Sequence, residues 1–464
     1  MNDNTINNKE SLPNIVFIMA DDLGWMDTSL YGSKYYETPN IDSLAKNGMM
    51  FTNAYAASPW CSPTRASIMT GLYPARIGIT APQCHLDREQ FKASLEKKAD
   101  LEQKLLKCKS ATRLSHEYYS LAKALQNAGY TTGHFGKWHL GPMPYDALNH
   151  RFDVDKPNTL APSPKMAGYF APWAVWSEYD KEGEHLEERM VKEAIEFMRK
   201  NKDTPFFLNY WCFSVHTPIE AKRELIKKYK DKRDPNNPQR HPYYAGMVET
   251  MDDAVGNLVE EIKRLGLFQN TIIIFYSDNG GLDKKTPQWG GKFSDEPVTS
   301  NHPLRRGKAS IYEGGTRVPL VVVWPGVVEA KSISDEIVTS VDFYPTILDI
   351  LGLESKKDQI FDGISLLPVL KGETVEREAI FCHFPHGEHA VYVRKNEWKL
   401  IRFFYDGENF KHRYELYNLE EDIAESNNLA DKKPDKVKQL DLLIEDFLKD
   451  TGAVIPKLNP DYKK

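Results

Sequence analysis

Cysteine is scarce in this chain: Cys61, Cys84, Cys108, Cys212 and Cys382 are five in 464 residues. They are scattered, none forms a C-x-x-C pair, and an odd number leaves at least one thiol unpaired. Neither a disulfide framework nor a cysteine-rich zinc site is expected. Long apolar runs are missing too. The first, residues 15–20, stops at two aspartates and is too short for a signal-peptide core or a membrane span, so no membrane partner is expected. The stretch before it, residues 1–10, is polar and lacks a basic start. As written the chain reads as cytoplasmic, or as periplasmic or otherwise exported if Met1 stands where a leader was removed. A basic excess is also absent. Lys and Arg number 60 against 66 Asp and Glu, a net charge of -6 that argues against nucleic acid as a partner. Attraction to an anionic substrate must therefore be local.

What is present, 41% hydrophobic and 27% charged residues, suits an ordinary globular protein with one large domain and a smaller one. Residues 14–20, Asn-Ile-Val-Phe-Ile-Met-Ala, have the continuous apolar pattern of a strand buried on both faces. They run into Asp21-Asp22-Leu23-Gly24-Trp25. Residues 271–277 repeat the arrangement and end in Asp278-Asn279-Gly280-Gly281. Adjacent carboxylates at the end of a buried strand repel each other and lose solvation, and a cation is the natural remedy. The hard oxygen donors Asp21, Asp22, Asp278 and Asn279 suit Ca²⁺ or Mg²⁺ better than a soft metal. Taken singly, each pair is as well explained by a solvated strand-end turn.

Cys61-Ser62-Pro63-Thr64-Arg65 opens a short predicted helix that Gly71 would end. A thiol at the positive end of a helix dipole is expected to be acidified. Lys137 and His139, in Gly136-Lys137-Trp138-His139-Leu140-Gly141, are two apart in a segment read as extended, so they should point the same way. His216 follows a further apolar run, 205–213, and so lies past a strand's carboxyl end. Arg306-Gly307-Lys308 sits in a basic, glycine-bearing loop before the run 320–324. Helical periodicity marks residues 186–200 and 243–265, and the Lys- and Glu-rich stretch 86–110 reads as a partly helical surface excursion able to wall a cleft. From about residue 365 the pattern changes to short strands, a hairpin over 390–402 and a covering helix over 435–449.

Together these segments resemble the formylglycine-dependent type I sulfatases of the alkaline-phosphatase-like superfamily, with Thr64 the mild departure where that family most often has Ser. The resemblance implies an α/β fold: a large mixed, mostly parallel sheet sandwiched by helices, with a smaller C-terminal α+β domain on an antiparallel sheet. We place these at residues 1–364 and 365–464. It further implies that Cys61 is oxidised by a formylglycine-generating maturation enzyme to Cα-formylglycine, whose hydrated form attacks sulfur with one hydroxyl and expels sulfate by deprotonation of the other. Asp21, Asp22, Asp278 and Asn279, with residue 61 itself, would hold Ca²⁺, Mg²⁺ being the alternative. Arg65 would steady the nucleophile, Lys137 and Lys308 would neutralise sulfate oxygens, His139 would act as base, and His216, with Lys308, would protonate the leaving oxygen.

The expected substrate is an O-sulfated sugar from glycosaminoglycan, mucin or algal glycans, taken at the monosaccharide level. His383, His386 and Arg394 are the candidates for the cleft rim. Two other readings stay open. One is a phosphatase or phosphodiesterase of the same superfamily, which would use Ser or Thr and a pair of zinc ions. The other is a catalytically silent glycan-binding protein in which Cys61 remains a thiol.

Overall fold

The apolar runs read from the sequence meet in one sheet. The computed structural model describes residues 12–164, 168–285 and 296–463, so the polar stretch 1–10 lies outside the described residues. Eight strands lie side by side in the order Ser332–Ser334, Met49–Phe51, Leu320–Val323, Thr271–Ser277, Asn14–Ala20, Phe206–Trp211, Thr131–Gly136 and Val154–Lys156. Pairing is parallel except on the two sides of Leu320–Val323. The middle strand, Asn14–Ala20, shows why its sequence does not alternate with polar residues. Val16 and Ile18 enter one apolar core and Ile15, Phe17 and Met19 the other, all fully buried. Helices Pro39–Lys46, Leu186–Lys200 and Pro242–Arg264 cover the first face. Cys61–Thr70, Leu121–Asn127 and Phe343–Ile350 cover the second.

A second sheet is antiparallel throughout: Ile380–Phe384, Ala390–Lys395, Trp398–Phe403 and Arg413–Asn418. Helix Pro434–Asp450 packs Leu440, Ile444 and Phe447 on one face. The other face packs Phe384, Tyr392 and Phe403 against Ile311 and Tyr312, with Trp60 at its margin. A buried ion cluster ties this sheet to the large one. Lys399 Nζ lies 2.9 Å from Glu313 and 2.8 Å from Glu425, with all three side chains fully buried. No helix among the described residues is long and apolar enough to cross a membrane.

Residues 86–110 depart from expectation: they form no helix, only the two-residue strands Ser94–Leu95, Leu105–Leu106 and Cys108–Lys109. Their charges are plentiful but their apolar residues lack helical spacing, and Leu105–Leu106 instead pairs with Lys457–Leu458. His383 and Arg394 are corrected as rim candidates, because both point into the fold. His383 is buried, with Nε2 3.0 Å from the Val454 carbonyl. Arg394 is buried and donates to Asn53 Oδ1 and Tyr55 Oη. The strand Ile380–Phe384, which places His383, was not anticipated.

One buried carboxylate makes stability depend on pH. Asp155, on the edge strand, is pushed up to about 8 by burial and by the charge of Asp146. The unfolded chain releases this proton near pH 4 and the folded chain near pH 8, so between those values the unfolded state binds fewer protons and stability falls as pH rises. Asp155→Asn should raise the melting temperature at pH 8 by a few degrees and leave it unchanged near pH 4; equal shifts at both pH values would contradict this.

Candidate active site

Four neighbouring parallel strands end at the same edge of the large sheet, and each delivers polar residues there. Asn14–Ala20 leads to Asp21 and Asp22, Thr271–Ser277 to Asp278 and Asn279, Phe206–Trp211 to His216, and Thr131–Gly136 to Lys137 and His139. Helix Cys61–Thr70 points its N-terminus at the same spot, with Cys61 its first residue and Gly71, at φ 71°, closing it in the left-handed conformation. The loop after Asp278 comes close to the basic loop: a Cβ on Gly280 would lie 1.8 Å from the Gly314 carbonyl oxygen. With that contact made, the Lys308 N–H donates to the Gly281 carbonyl at 2.9 Å and its side chain turns to the carboxylates.

Three buried carboxylates face three buried or nearly buried cations. Lys137 Nζ donates to Asp21 Oδ2 at 2.6 Å, and Lys308 Nζ to Asp22 Oδ2 at 2.6 Å. Arg65 Nε and Nη2 donate to Asp278 Oδ2 at 2.9 and 2.7 Å, while its Nη1 donates to the Lys137 carbonyl. The Arg65 guanidinium also lies over the Trp211 ring, 5.2 Å from the centroid. Asn279 Nδ2 donates to Asp22 Oδ1 at 2.9 Å. His216 Nε2 is 3.7 Å from Asp22 Oδ2. The Cys61 sulfur is 3.4 Å from His139 Nδ1, and Ser62 Oγ holds the His139 carbonyl at 2.8 Å.

His139 does not sit in extended backbone as expected. Its φ of 55° is left-handed, and this turn carries its ring to Cys61 while Lys137 goes to Asp21. On its far side His139 Nε2 is 3.0 Å from His85 Nδ1. His85 was not singled out in the sequence. It lies between Cys84 and Leu86 in a loop that carries no motif, so only folding brings it here.

Charge and burial set the protonation states. Burial pushes the Asp22 carboxyl up, but Lys308, His216 and Lys137 outweigh it and hold the group well below the usual carboxylate range. Burial and the Asp21 charge push Asp278 up to about 6 against the pull of Arg65. Burial, then the positive charge of Lys137, holds His139 well below its ordinary value. Burial and Lys308 hold His216 down to about 3. Both imidazoles are therefore neutral near pH 7. The Cys61 thiol is corrected in direction: burial raises it, and the Asp21 and Asp278 carboxylates offset the lysines. The helix N-terminus alone would have done the opposite.

The donor set suits a hard cation. Asp21 Oδ1 and Asn279 Oδ1 are buried and accept no hydrogen bond from the described residues, a costly state for bare oxygen atoms. Ligand atoms of Asp21, Cys61 and Asp278 all lie within 4.8 Å of one another, as do those of Asp21, Asp22 and His216. Among the described residues these are the only two such groups, and both contain Asp21. Carboxylates and an amide oxygen at one sheet edge are the kind of oxygen donor that Ca²⁺ or Mg²⁺ prefers.

Residues 13–353 match the sequence model of the Sulfatase family, and residues 306–450 match that described as N-sulphoglucosamine sulphohydrolase, C-terminal. The N-acetylgalactosamine-6-sulfatase of Rattus norvegicus is 32% identical over 80% of this chain and 68% of its own length. A sulfatase of Formosa agariphila is 31% identical over 93% of this chain and 87% of its own. The crystal structure of Ps i-CgsB in complex with k-i-k-neocarrahexaose superposes with a TM-score of 0.76 at 29% identity, covering 95% of this chain and 94% of that one.

Arg65 is the joint of the ion cluster, so removing it leaves buried carboxylates without their partner. Arg65→Ala should lower the unfolding free energy by about 3–5 kcal/mol, measured by urea denaturation. A loss below about 1 kcal/mol, the worth of an exposed pair, would contradict this role.

Proposed function

The chain belongs to the sulfatase family of the alkaline-phosphatase-like superfamily and is a sulfuric ester hydrolase; from that premise we propose that it acts on sulfated sugars and how its residues divide the reaction. The observation that carries the proposal is the meeting of Cys61, Asp21 and Asp278 within 4.8 Å, flanked by Lys137 and Lys308.

Oxidised to Cα-formylglycine by its maturation enzyme and hydrated, residue 61 would supply one hydroxyl as nucleophile and a second whose deprotonation releases sulfate. A divalent cation, Ca²⁺ in this reading and Mg²⁺ in its alternative, would be held by Asp21, Asp22, Asp278, Asn279 and residue 61, and would supply positive charge toward the sulfate oxygens. The remaining work falls to the chain's own side chains. Lys137 and Lys308 place ammonium groups where the sulfate oxygens gather negative charge, in a buried setting that strengthens the effect.

His139 receives a proton from the side of residue 61. That role requires Nδ1 to be bare, so Nε2 carries the hydrogen and donates it to His85 Nδ1 at 3.0 Å. His85 thereby fixes both the tautomer and the tilt of the base, as a positioning residue. On the opposite side, His216 Nδ1 donates to the Thr217 carbonyl at 2.9 Å, which leaves Nε2 facing Asp22 without a proton. Lys308, held protonated by Asp22 despite its burial, carries the proton for the leaving oxygen, and His216 relays or orients it.

We assign residues 365–464 to a subdomain completing the cleft beside a catalytic part over 1–364. This is supported by Phe384, whose ring centroid lies 4.8 Å from that of Trp60, the neighbour of Cys61.

Lys137→Ala and His139→Ala should each lower kcat on 4-nitrophenyl sulfate and on a sulfated monosaccharide by about 10²–10³, with secondary structure unchanged by circular dichroism; losses under about tenfold would remove them from the reaction. His85→Ala should lower kcat more than it raises KM and shift the acid limb of the pH–rate profile, with His85→Gln recovering part of the rate through its amide oxygen. A uniform rise in KM with an unmoved pH profile would make His85 a substrate contact instead.

A further inference from the structure

Beside the reaction centre lies a cleft of about 460 Å³ that the mechanism does not use. One wall comes from the charged stretch after residue 86, through Lys104 and Lys107. The other comes from Arg305 and Arg306 and from the second sheet, through His389 and Arg413. Its size is that of a ligand site. It holds five lysines and arginines against two carboxylates, Glu388 and Asp406, in a protein whose net charge is -6. The concentration of positive charge is thus local and not a background property of the chain.

The two carboxylates are already engaged. Glu388 accepts from Ser310 Oγ at 2.9 Å and from the Ile311 N–H at 2.6 Å, and Asp406 accepts from Arg413 Nε at 2.8 Å. Two of the cations are fixed. Arg305 stacks over Tyr312 with its guanidinium carbon 3.8 Å from the ring centroid, and Arg413 over Phe403 at 3.7 Å. Both also pair with the carboxylate of Glu415, Arg305 at 3.6 Å, so their charge is largely met and the cations left to a ligand are the other three. Lys104, Lys107 and Arg306 form no ion pair among the described residues, and Lys107 and Arg306 are exposed. These three like charges repel one another, and an anionic ligand relieves them.

Two short stretches of chain connect the lining of the cleft with the reaction centre. Arg306 stands two residues before Lys308, so their Cα atoms are within about 7 Å. Gly387 follows His386, whose Nε2 is 2.9 Å from Thr80 Oγ1 and whose ring lies 5.6 Å from that of Trp60, beside Cys61. A second hollow of about 510 Å³ shares Lys107, Gly387 and His389 and adds Arg88 and Lys109; its one acidic residue, Glu96, is occupied by the Lys107 N–H and by Gln103.

We propose that this cleft binds further anionic sugar residues of the same chain as the scissile sulfate, so that the substrate is a polyanionic oligosaccharide and not an isolated monosaccharide. The proposal rests on the sulfatase reading above and extends it from the sulfate to its neighbours. Affinity should rise with chain length and fall with salt, because exposed cations act through screened charge.

The test is calorimetric binding of disaccharides and hexasaccharides prepared from carrageenan and from chondroitin sulfate, at low and at physiological salt. In at least one series the hexasaccharide should bind about tenfold or more tighter than the disaccharide, a difference of about 1.4 kcal/mol. The Lys104→Ala/Lys107→Ala double variant should lose most of that difference while keeping its melting temperature and its affinity for the disaccharide. Equal affinities for both lengths in both series, an undiminished length effect in the double variant, or equally tight binding of an oligodeoxynucleotide of matched charge would overturn the proposal. Turnover of 4-nitrophenyl sulfate, followed in parallel, judges the sulfatase reading separately: its absence would reject that reading while the binding series still decides the cleft.

Discussion

The structure depends on burying Asp21, Asp22 and Asp278 together at the end of a parallel sheet. Carboxylates so placed cannot remain charged without compensation, since each loses the water that stabilised it. Lys137, Lys308 and Arg65 supply that compensation, one to each carboxylate, at 2.6–2.7 Å. Each cation arrives from a separate part of the chain, so the charge balance is also a constraint on the fold. The strand order, the Cys61 helix and the 305–315 loop must all be in place before the cluster is neutral. The balance is incomplete in one respect, because Asp21 Oδ1 and Asn279 Oδ1 accept no hydrogen bond from the described residues, and a metal ion as proposed above would meet that demand.

The same logic recurs where the two sheets meet. Lys399, from the small sheet, is buried between Glu313 and Glu425, and Glu313 begins the short helix Glu313–Thr316 that follows the basic loop. One buried pairing therefore fixes the loop that carries Lys308 and the sheet that carries His386 in a common frame. Breaking a pairing of this kind strands a buried charge, which is why such clusters act as all-or-none fasteners.

Much of this was legible in the sequence. The strands Asn14–Ala20 and Thr271–Ser277 and the helix Leu186–Lys200 fall where apolar pattern alone puts them, because long periodic segments carry their signal within themselves. The carboxylate pairs were legible because each follows such a strand directly. Other features depend on tertiary contact. His85 reaches His139 from a loop without a motif, and the left-handed backbone at His139 has no local marker. The Cys61 thiol is shifted up instead of down because burial and two carboxylates from distant strands outweigh the helix terminus. His383 and Arg394 are read from the sequence as cleft-rim candidates, yet a strand not foreseen and a tyrosine at residue 55 hold them inside the fold.

In the proposed reaction this neutralised cluster serves to activate a side chain generated from Cys61. The most direct measurement is mass spectrometry of the peptide containing Cys61, taken from protein produced together with a formylglycine-generating enzyme and assayed for sulfate release in the same preparation. An aldehyde is expected in place of the thiol, with specific activity rising in proportion to the converted fraction. A wholly unmodified thiol in a preparation that turns over sulfate esters would contradict it.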